Sequence, residues 1–295
     1  MATAPLVEVG APGLPADWLN AWLAAIGVTV LVPEVKLSWT DEVVPHAVFW
    51  VPEDMDLAQA VYDALPSDDE LAAMPIARHH PESSLEFPHK VTPEVFRDRA
   101  RLERGRKTRI LAFCVTDLAR YPGKSELSRS AFNPGVPGGL TLWERIKLCG
   151  RNLASPKQVD ETLLGVPHRI RGAGLGFDCR KAPSGVPVDE TKYIDPVIEV
   201  LVAAALPLFP VRGDGKRERT RGWNGRSLER GAFSWFSWVH PLDAWAIDAV
   251  LDQPSVVAIQ WWRSVPFQPL NPSDTTRAIY SEPFDGGTRH PLAGT

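Results

Sequence analysis

The chain has 295 residues, of which 44% are hydrophobic and 23% are charged, and its formal net charge is -4. This composition excludes a disordered chain and is sufficient for a substantial core. The longest nearly uncharged apolar run, residues 200–211, is too short to cross a membrane. Three widely spaced cysteines favour a reducing compartment over a disulfide framework. We therefore expect a cytoplasmic protein without a membrane partner.

Short helices and strands are predicted to alternate after a leader rich in proline and glycine. Apolar residues at helical spacing predict a helix over Asp17–Gly27, with Gly27 as its C-terminal stop. Three β-rich runs then predict a small antiparallel meander. The predicted strands are Val28–Val32, Val35–Trp39 and His46–Val51.

Capping patterns predict the helices that follow. Helical periodicity covers Asp56–Leu65, and Ser67 with Glu70 forms a capping-box pattern. Thr92 and Pro93 are typical of the start of another helix. The apolar run Ile110–Val115 then predicts a buried strand.

The segment 121–139 is rich in Ser, Pro and Gly and is the best candidate for a domain boundary. It would separate an N-terminal lobe, residues 1–120, from a C-terminal lobe, residues 121–295. Three capped helices are predicted beyond it. The first starts at Thr141 with Glu144, and the second starts at Ser155 with Pro156 and ends near Gly165. The third starts at Asp195 with Pro196 and runs to Leu206.

Six of the eleven tryptophans lie between residues 223 and 262, which predicts an aromatic core in the last third of the chain. Strands are predicted at Phe233–Trp238 and Val256–Trp262, on either side of a helix at Pro241–Asp252. Together these elements predict an α+β fold of mixed helices and small antiparallel sheets. The fold is either one large domain or two packed lobes.

Positive charge is concentrated in three segments, although the chain as a whole is acidic. Residues 97–109, 168–181 and 212–230 together carry a net charge of +12, so the rest of the chain carries -16. Such segregation is typical of a protein with one face for a polyanion. Any single cluster is also compatible with a solvated helix face whose arginines pair with nearby acids.

No catalytic motif is recognisable in the sequence. The glycines of RGAGLGFDCR, residues 171–180, match neither nucleotide-binding fingerprint. A flexible connection, or a backbone nest that follows a phosphate backbone, fits them better. His79, His80 and His89 lie on a proline-broken segment whose spacing is not that of a metal site, and we expect surface histidines. We predict no cofactor, no metal and no enzymatic activity.

The segment Arg212–Arg226 is the most informative basic stretch. Arginine binds phosphate through two parallel hydrogen bonds, glycine permits close approach, and Trp223 is a candidate for stacking on a base or wedging into a duplex. The alternative is an exposed loop whose Trp223 folds back into the core. The candidate nucleic-acid contacts are Arg97, Arg101, Arg104, Arg106, Lys107, Arg109, Arg169, Arg171, Arg212, Lys216, Arg217, Arg219, Arg221, Trp223 and Arg226.

Three stretches resemble a known family. They are WLNAWLAAIGVTVLVPEVKLSW, DPVIEVLVAAALPLFPVRGDGKRERTRGW and FSWFSWVHPLDAWAIDAVL, and they cover roughly a quarter to a third of the chain. Their order is similar to that in CRISPR-associated large-subunit-like proteins of the type I-U and I-G effector (Cascade) complexes. The resemblance implies a subunit that contacts guide RNA, target DNA and other CRISPR-associated subunits. Base pairing would then read the sequence while another protein cuts.

The resemblance carries over to the basic loop, where it implies nucleic-acid contacts at Arg212, Lys216, Arg217, Arg219 and Arg221, with Trp223 as a possible wedge. Two other classes of function stay open. One is a stand-alone metal-dependent nuclease or hydrolase whose acids and histidines meet only in the fold. The other is an adaptor that binds protein alone through the tryptophan-rich region.

Overall fold

The protein has the predicted α+β fold, with helices and small antiparallel sheets. The computed structural model describes residues 5–75, 92–113, 142–166, 168–172, 174–175, 193–213, 218–224, 232–264 and 284–285. The described helices are α1 (Leu19–Leu31), α2 (Leu57–Ala64), α3 (Asp68–Ala73), α4 (Pro93–Arg101), α5 (Arg106–Ala112), α6 (Leu142–Arg151), α7 (Pro156–Leu163), α8 (Pro196–Ala205) and α9 (Ala244–Asp252). None of them is long and apolar enough to span a membrane.

Eleven short strands are described, and all of their pairings are antiparallel. They are β1 (Leu6–Pro15), β2 (Lys36–Trp39), β3 (His46–Pro52), β4 (Ile170–Arg171), β5 (Tyr193–Ile194), β6 (Val211–Gly213), β7 (Glu218–Thr220), β8 (Trp223–Asn224), β9 (Ala232–Phe236), β10 (Trp261–Ser264) and β11 (Phe284–Asp285).

The N-terminal sheet has the strand order β1-β3-β2. The predicted pairing of the second and third runs is confirmed, since Leu37 lies opposite Phe49. The leader, which was not predicted as a strand, forms β1. Proline is tolerated there because β1 is an edge strand and its register shifts between Ala11 and Pro15, where the ladder is interrupted.

The predicted strand Val28–Val32 is wrong, because α1 continues through it to Leu31. Nearly every residue of α1 is buried, so its apolar run has no polar side that would show a helical period, and a short apolar run does not by itself distinguish helix from strand. Gly27 is therefore not a helix stop. A Cβ atom built on it would lie 1.9 Å from the carbonyl oxygen of Leu201, so glycine lets α1 approach α8 closely.

Several predicted helix starts are confirmed by their hydrogen bonds. The Asp56 carboxylate accepts from the amide of Gln59, and Ser67 and Glu70 form the complete capping box. Thr92 and Asp195 cap α4 and α8. Helix α7 starts at Pro156, as predicted, and α6 starts at Leu142 while its predicted cap, Thr141, lies outside the described residues.

Two strand predictions need correction. The described part of Ile110–Val115 belongs mostly to helix α5, because Thr108, Leu111 and Ala112 are buried at helical spacing. The run Val256–Trp262 is a strand only from Trp261, since a 3₁₀ turn occupies Pro254–Val256.

Tryptophan side chains join the N-terminal elements to the C-terminal sheet, whose order is β11-β10-β9-β8. The indole nitrogen of Trp22 donates to the Phe236 carbonyl at 2.8 Å, and that of Trp235 donates to the Ala16 carbonyl at 2.7 Å. The indole of Trp238 donates to the Leu37 carbonyl at 2.9 Å. The predicted aromatic core is confirmed.

The buried residues of the two predicted lobes form one cluster that runs from Ala11 to Trp262. The predicted boundary between residues 120 and 121 lies outside the described residues. In the part of the chain that is described, the halves therefore share a core.

Candidate nucleic-acid interface

Helices α4 and α5 present the first basic cluster to solvent. Helix α4 buries Phe96 and Ala100, and this orients Arg97 and Arg101 outward. Helix α5 buries one side through Leu111 and exposes the other. The exposed basic residues of α5 and of the turn before it are Arg104, Arg106 and Arg109, while Lys107 is half-buried.

Some of these cations are paired within the protein. Arg97 lies 3.1 Å from Glu94, Arg101 lies 3.4 Å from Asp98, and Lys107 lies 4.0 Å from Glu70. In contrast, Arg104, Arg106 and Arg109 form no ion pair with any residue that the structure describes. Their charge is therefore the part of this cluster available to a polyanion.

The position of the unpaired cations is not explained by helix stability. Arg106 occupies the first turn of α5, which contains no acidic residue. The helix macrodipole disfavours cations at this end, where the backbone amides already carry partial positive charge.

The second basic cluster lies on the short ribbon of β4 and β5. Arg169 and Arg171 are exposed there, and neither forms an ion pair with a residue in the described ranges. They add two cations that are available to a ligand.

The glycine-rich stretch after β4 is folded against buried charged side chains. The Gly174 carbonyl accepts a 2.7 Å hydrogen bond from Arg145, and the Leu175 amide donates to the Glu199 carboxylate. Glu199 also accepts from the side-chain amide of Asn20 at 2.9 Å. These two backbone groups therefore serve the protein interior, and a phosphate nest is not supported at Gly174–Leu175. Gly176 and the rest of the predicted stretch to Lys181 lie outside the described residues.

Sequence reasoning missed the roles of Arg145 and Glu199. Glu199 is only 2% exposed and stands in the otherwise apolar run VIEVLVAAA. A single acid within an apolar helix was the available signal, because a buried carboxylate requires hydrogen-bond partners.

The third basic cluster lies partly on a hairpin of β6 and β7. Its register places Arg212 opposite Arg219, so two cationic residues occupy facing positions. Lys216, Arg217 and Arg226 lie outside the described residues.

Arg221 is not available for the predicted phosphate contact. Its side chain is 6% exposed and lies against α9, where it donates to Asp252 at 2.9 and 2.7 Å and forms an ion pair with Asp248. It also donates to the Leu208 carbonyl at 2.7 Å. Burial acts to lower the pKa of Arg221, but the hydrogen bonds to Asp252 and Asp248 outweigh it and raise that pKa.

Trp223 is part of the C-terminal sheet, which argues against its predicted role as a wedge. It pairs with Phe233 in the register of β8 and β9, and its half-buried side chain packs against the core. The alternative prediction, a tryptophan folded back into the core, describes it better.

The alternative of a metal-dependent enzyme gains no support from the described residues. They contain no group of three or more side chains that could hold a metal ion. His79, His80 and His89 lie outside these residues. A cavity of about 150 Å³ is lined by Pro12, Gly13, Pro15, Thr162, Gly165, Asp195 and Ile198.

The Asp195 carboxylate in this cavity is engaged in structural hydrogen bonds. It accepts from the Thr162 hydroxyl at 3.0 Å and from the amides of His168 and Val197. Burial raises the pKa of Asp195, and these hydrogen bonds partly oppose the shift. The arrangement is that of a helix cap tied to a neighbouring helix.

Comparisons with known proteins leave the family open. No protein-family model matches the chain, and no curated protein sequence matches it significantly.

Proposed function

We propose that this chain is a non-catalytic, nucleic-acid-binding subunit of an RNA-guided CRISPR surveillance complex. One observation carries the binding function: Arg104, Arg106, Arg109, Arg169 and Arg171 are exposed on described elements without an ion pair to any described residue. Exposed guanidinium groups without acidic partners match the phosphate backbone, which dominates nucleic-acid affinity. The type of complex is proposed from the resemblance of the three sequence stretches.

Direct contacts are proposed mainly with phosphate, so base pairing with a guide RNA would supply the sequence specificity. Guide RNA, target DNA and other CRISPR-associated subunits are the proposed partners. Of the predicted residues, Arg221 and Trp223 are excluded from the contacts because they are engaged within the protein.

The test is to neutralise the unpaired cations of α5 and the turn before it. Relative to the wild-type chain, R104Q/R106Q/R109Q should reduce the magnitude of the slope of log affinity against log salt concentration by about 2 to 3. The reason is that fewer phosphate contacts form, so binding releases fewer counterions. Fluorescence anisotropy with a labelled duplex, titrated at several salt concentrations, measures this slope.

The matched control is R151Q/K157Q/R263Q, which removes the same charge from other exposed positions. Equal slopes for the two triple variants would show that net charge alone governs binding and would remove α5 from the interface. Pull-down of both tagged variants from the native host tests the complex. Wild-type chain should retain short repeat-derived RNAs and CRISPR-associated subunits, and recovery of the chain alone would contradict the proposal.

The protein-only adaptor is the second candidate, and it is favoured by one observation. Trp245 on α9 is 83% exposed and Val256 is 72% exposed, whereas eight of the described tryptophans lie against or inside the core. Exposed large apolar side chains are typical of a surface that meets a partner. Retention of proteins without nucleic acid in the same pull-down would favour this candidate.

A further inference from the structure

Buried charged side chains hold both ends of the segment 168–175. At its start, the His168 amide donates to the Asp195 carboxylate at 3.3 Å. At its end, Arg145 binds the Gly174 carbonyl and Glu199 binds the Leu175 amide. Since each of these charges would be costly to bury without a partner, the contacts fix His168, Gly174 and Leu175 against α6, α8 and the N-cap of α8.

The anchored segment presents a small polar surface. In the ribbon of β4 and β5, Ile170 lies opposite Ile194 and Arg171 lies opposite Tyr193. Ile194 is buried, whereas Arg171 is exposed and Tyr193 is 50% exposed. The alternation along the two strands therefore directs the isoleucines inward and the Arg171–Tyr193 pair outward.

Among the described residues, the Tyr193 side chain has no partner that explains its position. Its side chain forms neither a hydrogen bond nor a ring contact with another residue in the described part of the chain. The sequence prediction did not include it, because a single tyrosine shortly before a capped helix resembles any boundary residue. Only the register shows that it lies opposite Arg171, which forms no ion pair with a described residue.

We infer that Tyr193, with Arg171 opposite it and Arg169 two residues before Arg171, is a stacking platform for an unpaired base of single-stranded nucleic acid. This inference rests on the proposed function and specifies the form of its ligand. A base exposes its face for stacking only when it is unpaired. Proteins usually bind such a base with an aromatic ring that stacks on it, while neighbouring cations contact the phosphates. Because the ribbon is already anchored, binding orders little additional backbone.

The charge of this surface argues for a nucleic acid over a protein partner. Arg169 and Arg171 carry two positive charges without an ion pair to any described residue, and the half-exposed Tyr193 ring is a single aromatic surface beside them. A protein docking site of this kind would need a larger apolar centre.

The experiment compares Tyr193 variants of the full chain by anisotropy, with a labelled oligothymidylate of about 15 nucleotides and a duplex of equal length. We expect Y193A to weaken single-strand binding about tenfold while duplex binding stays nearly unchanged. Y193F and Y193W should bind the single strand nearly as well as the wild type, because they keep the aromatic face.

W245A is the matched control, since it removes an exposed aromatic ring from α9 and should leave single-strand affinity unchanged. R169Q/R171Q should reduce the magnitude of the slope of log single-strand affinity against log salt concentration by about 1 to 2. Thermal unfolding of each variant verifies that the chain is folded.

Single-strand affinity of Y193A equal to that of the wild type would overturn the inference, as would an equal loss for single strand and duplex. If R104Q/R106Q/R109Q still weakened binding in that case, the proposed function would stand without the platform. Wild-type chain that binds neither ligand would overturn both.

Discussion

Arg221 shows how the environment of one residue changes its role. The sequence places it in the most basic stretch of the chain, yet its guanidinium group is enclosed by Asp248, Asp252 and the Leu208 carbonyl. The planar guanidinium satisfies three acceptors at once, which a lysine ammonium cannot do with the same geometry. Arg221 therefore links the base of the β6–β7 hairpin to α9.

Replacing Arg221 tests this structural role. We expect R221A to lower the free energy of unfolding by about 1 to 3 kcal/mol, because it leaves two aspartates and a carbonyl without their shared donor. R221K should recover only part of this loss. Urea denaturation measures the effect.

The control is R151A, which removes a mostly exposed partner of Asp68 and should cost less than about 1 kcal/mol. Equal losses for R221A and R151A would mean that burial adds nothing to the Arg221 contacts.

At the scale of elements, only one of the two described glycines in the glycine-rich segment requires glycine for its backbone conformation. Gly174 has φ +52°, and a Cβ atom on it would lie 2.5 Å from a carboxylate oxygen of Glu199. Gly172 has no such restriction, since its nearest neighbour would be the Ile194 side chain at 3.7 Å. The two glycines look equivalent in the sequence but have different structural requirements.

We therefore expect opposite results from two alanine substitutions in this segment. G174A should destabilise the protein by about 1 to 3 kcal/mol and increase hydrogen exchange at Leu175, because the contact with Glu199 is displaced. G172A should leave stability unchanged within about 0.5 kcal/mol. Thermal unfolding with peptide-resolved exchange measures both, and similar exchange for the two variants would contradict the anchoring by Glu199.

At the scale of the whole molecule, the packing of α1 on α8 brings the two halves of the chain together. Gly27 is the closest point of this contact, since an added Cβ atom would meet the Leu201 backbone. Helix propensity alone predicts that alanine at a helix interior position stabilises by about 1 kcal/mol. Tertiary packing predicts instead that alanine at position 27 destabilises the protein.

We expect G27A to lower the free energy of unfolding by about 2 to 3 kcal/mol or more, because the two backbones must separate to admit a methyl group. G10A is the control, because a Cβ atom at Gly10 would have no neighbour within 4 Å. Urea denaturation measures both variants. A G27A protein as stable as the wild type would show that α1 and α8 can separate without loss of packing.

Local signals predicted much of the secondary structure. Helix starts at Ser67 and Asp195 could be predicted because a cap depends on residues only two or three positions apart. Strand β1 could not be predicted, because its prolines are unfavourable in most strands. The second half of α1 could not be predicted either, because its uniformly apolar sequence shows no helical period.

The sequence predicted that the candidate site is basic, but it did not predict which residues belong to it. Sequence alone determined the segregation of charge, the α+β class and the aromatic character of the core. Only the tertiary structure decided that Arg221 and Trp223 are engaged internally, that Arg104, Arg106 and Arg109 lack ion pairs to the described residues, and that Tyr193 lies beside Arg171. The physical reason is that charge and hydrophobicity belong to single residues, whereas an ion pair or a shared surface depends on residues distant in the chain.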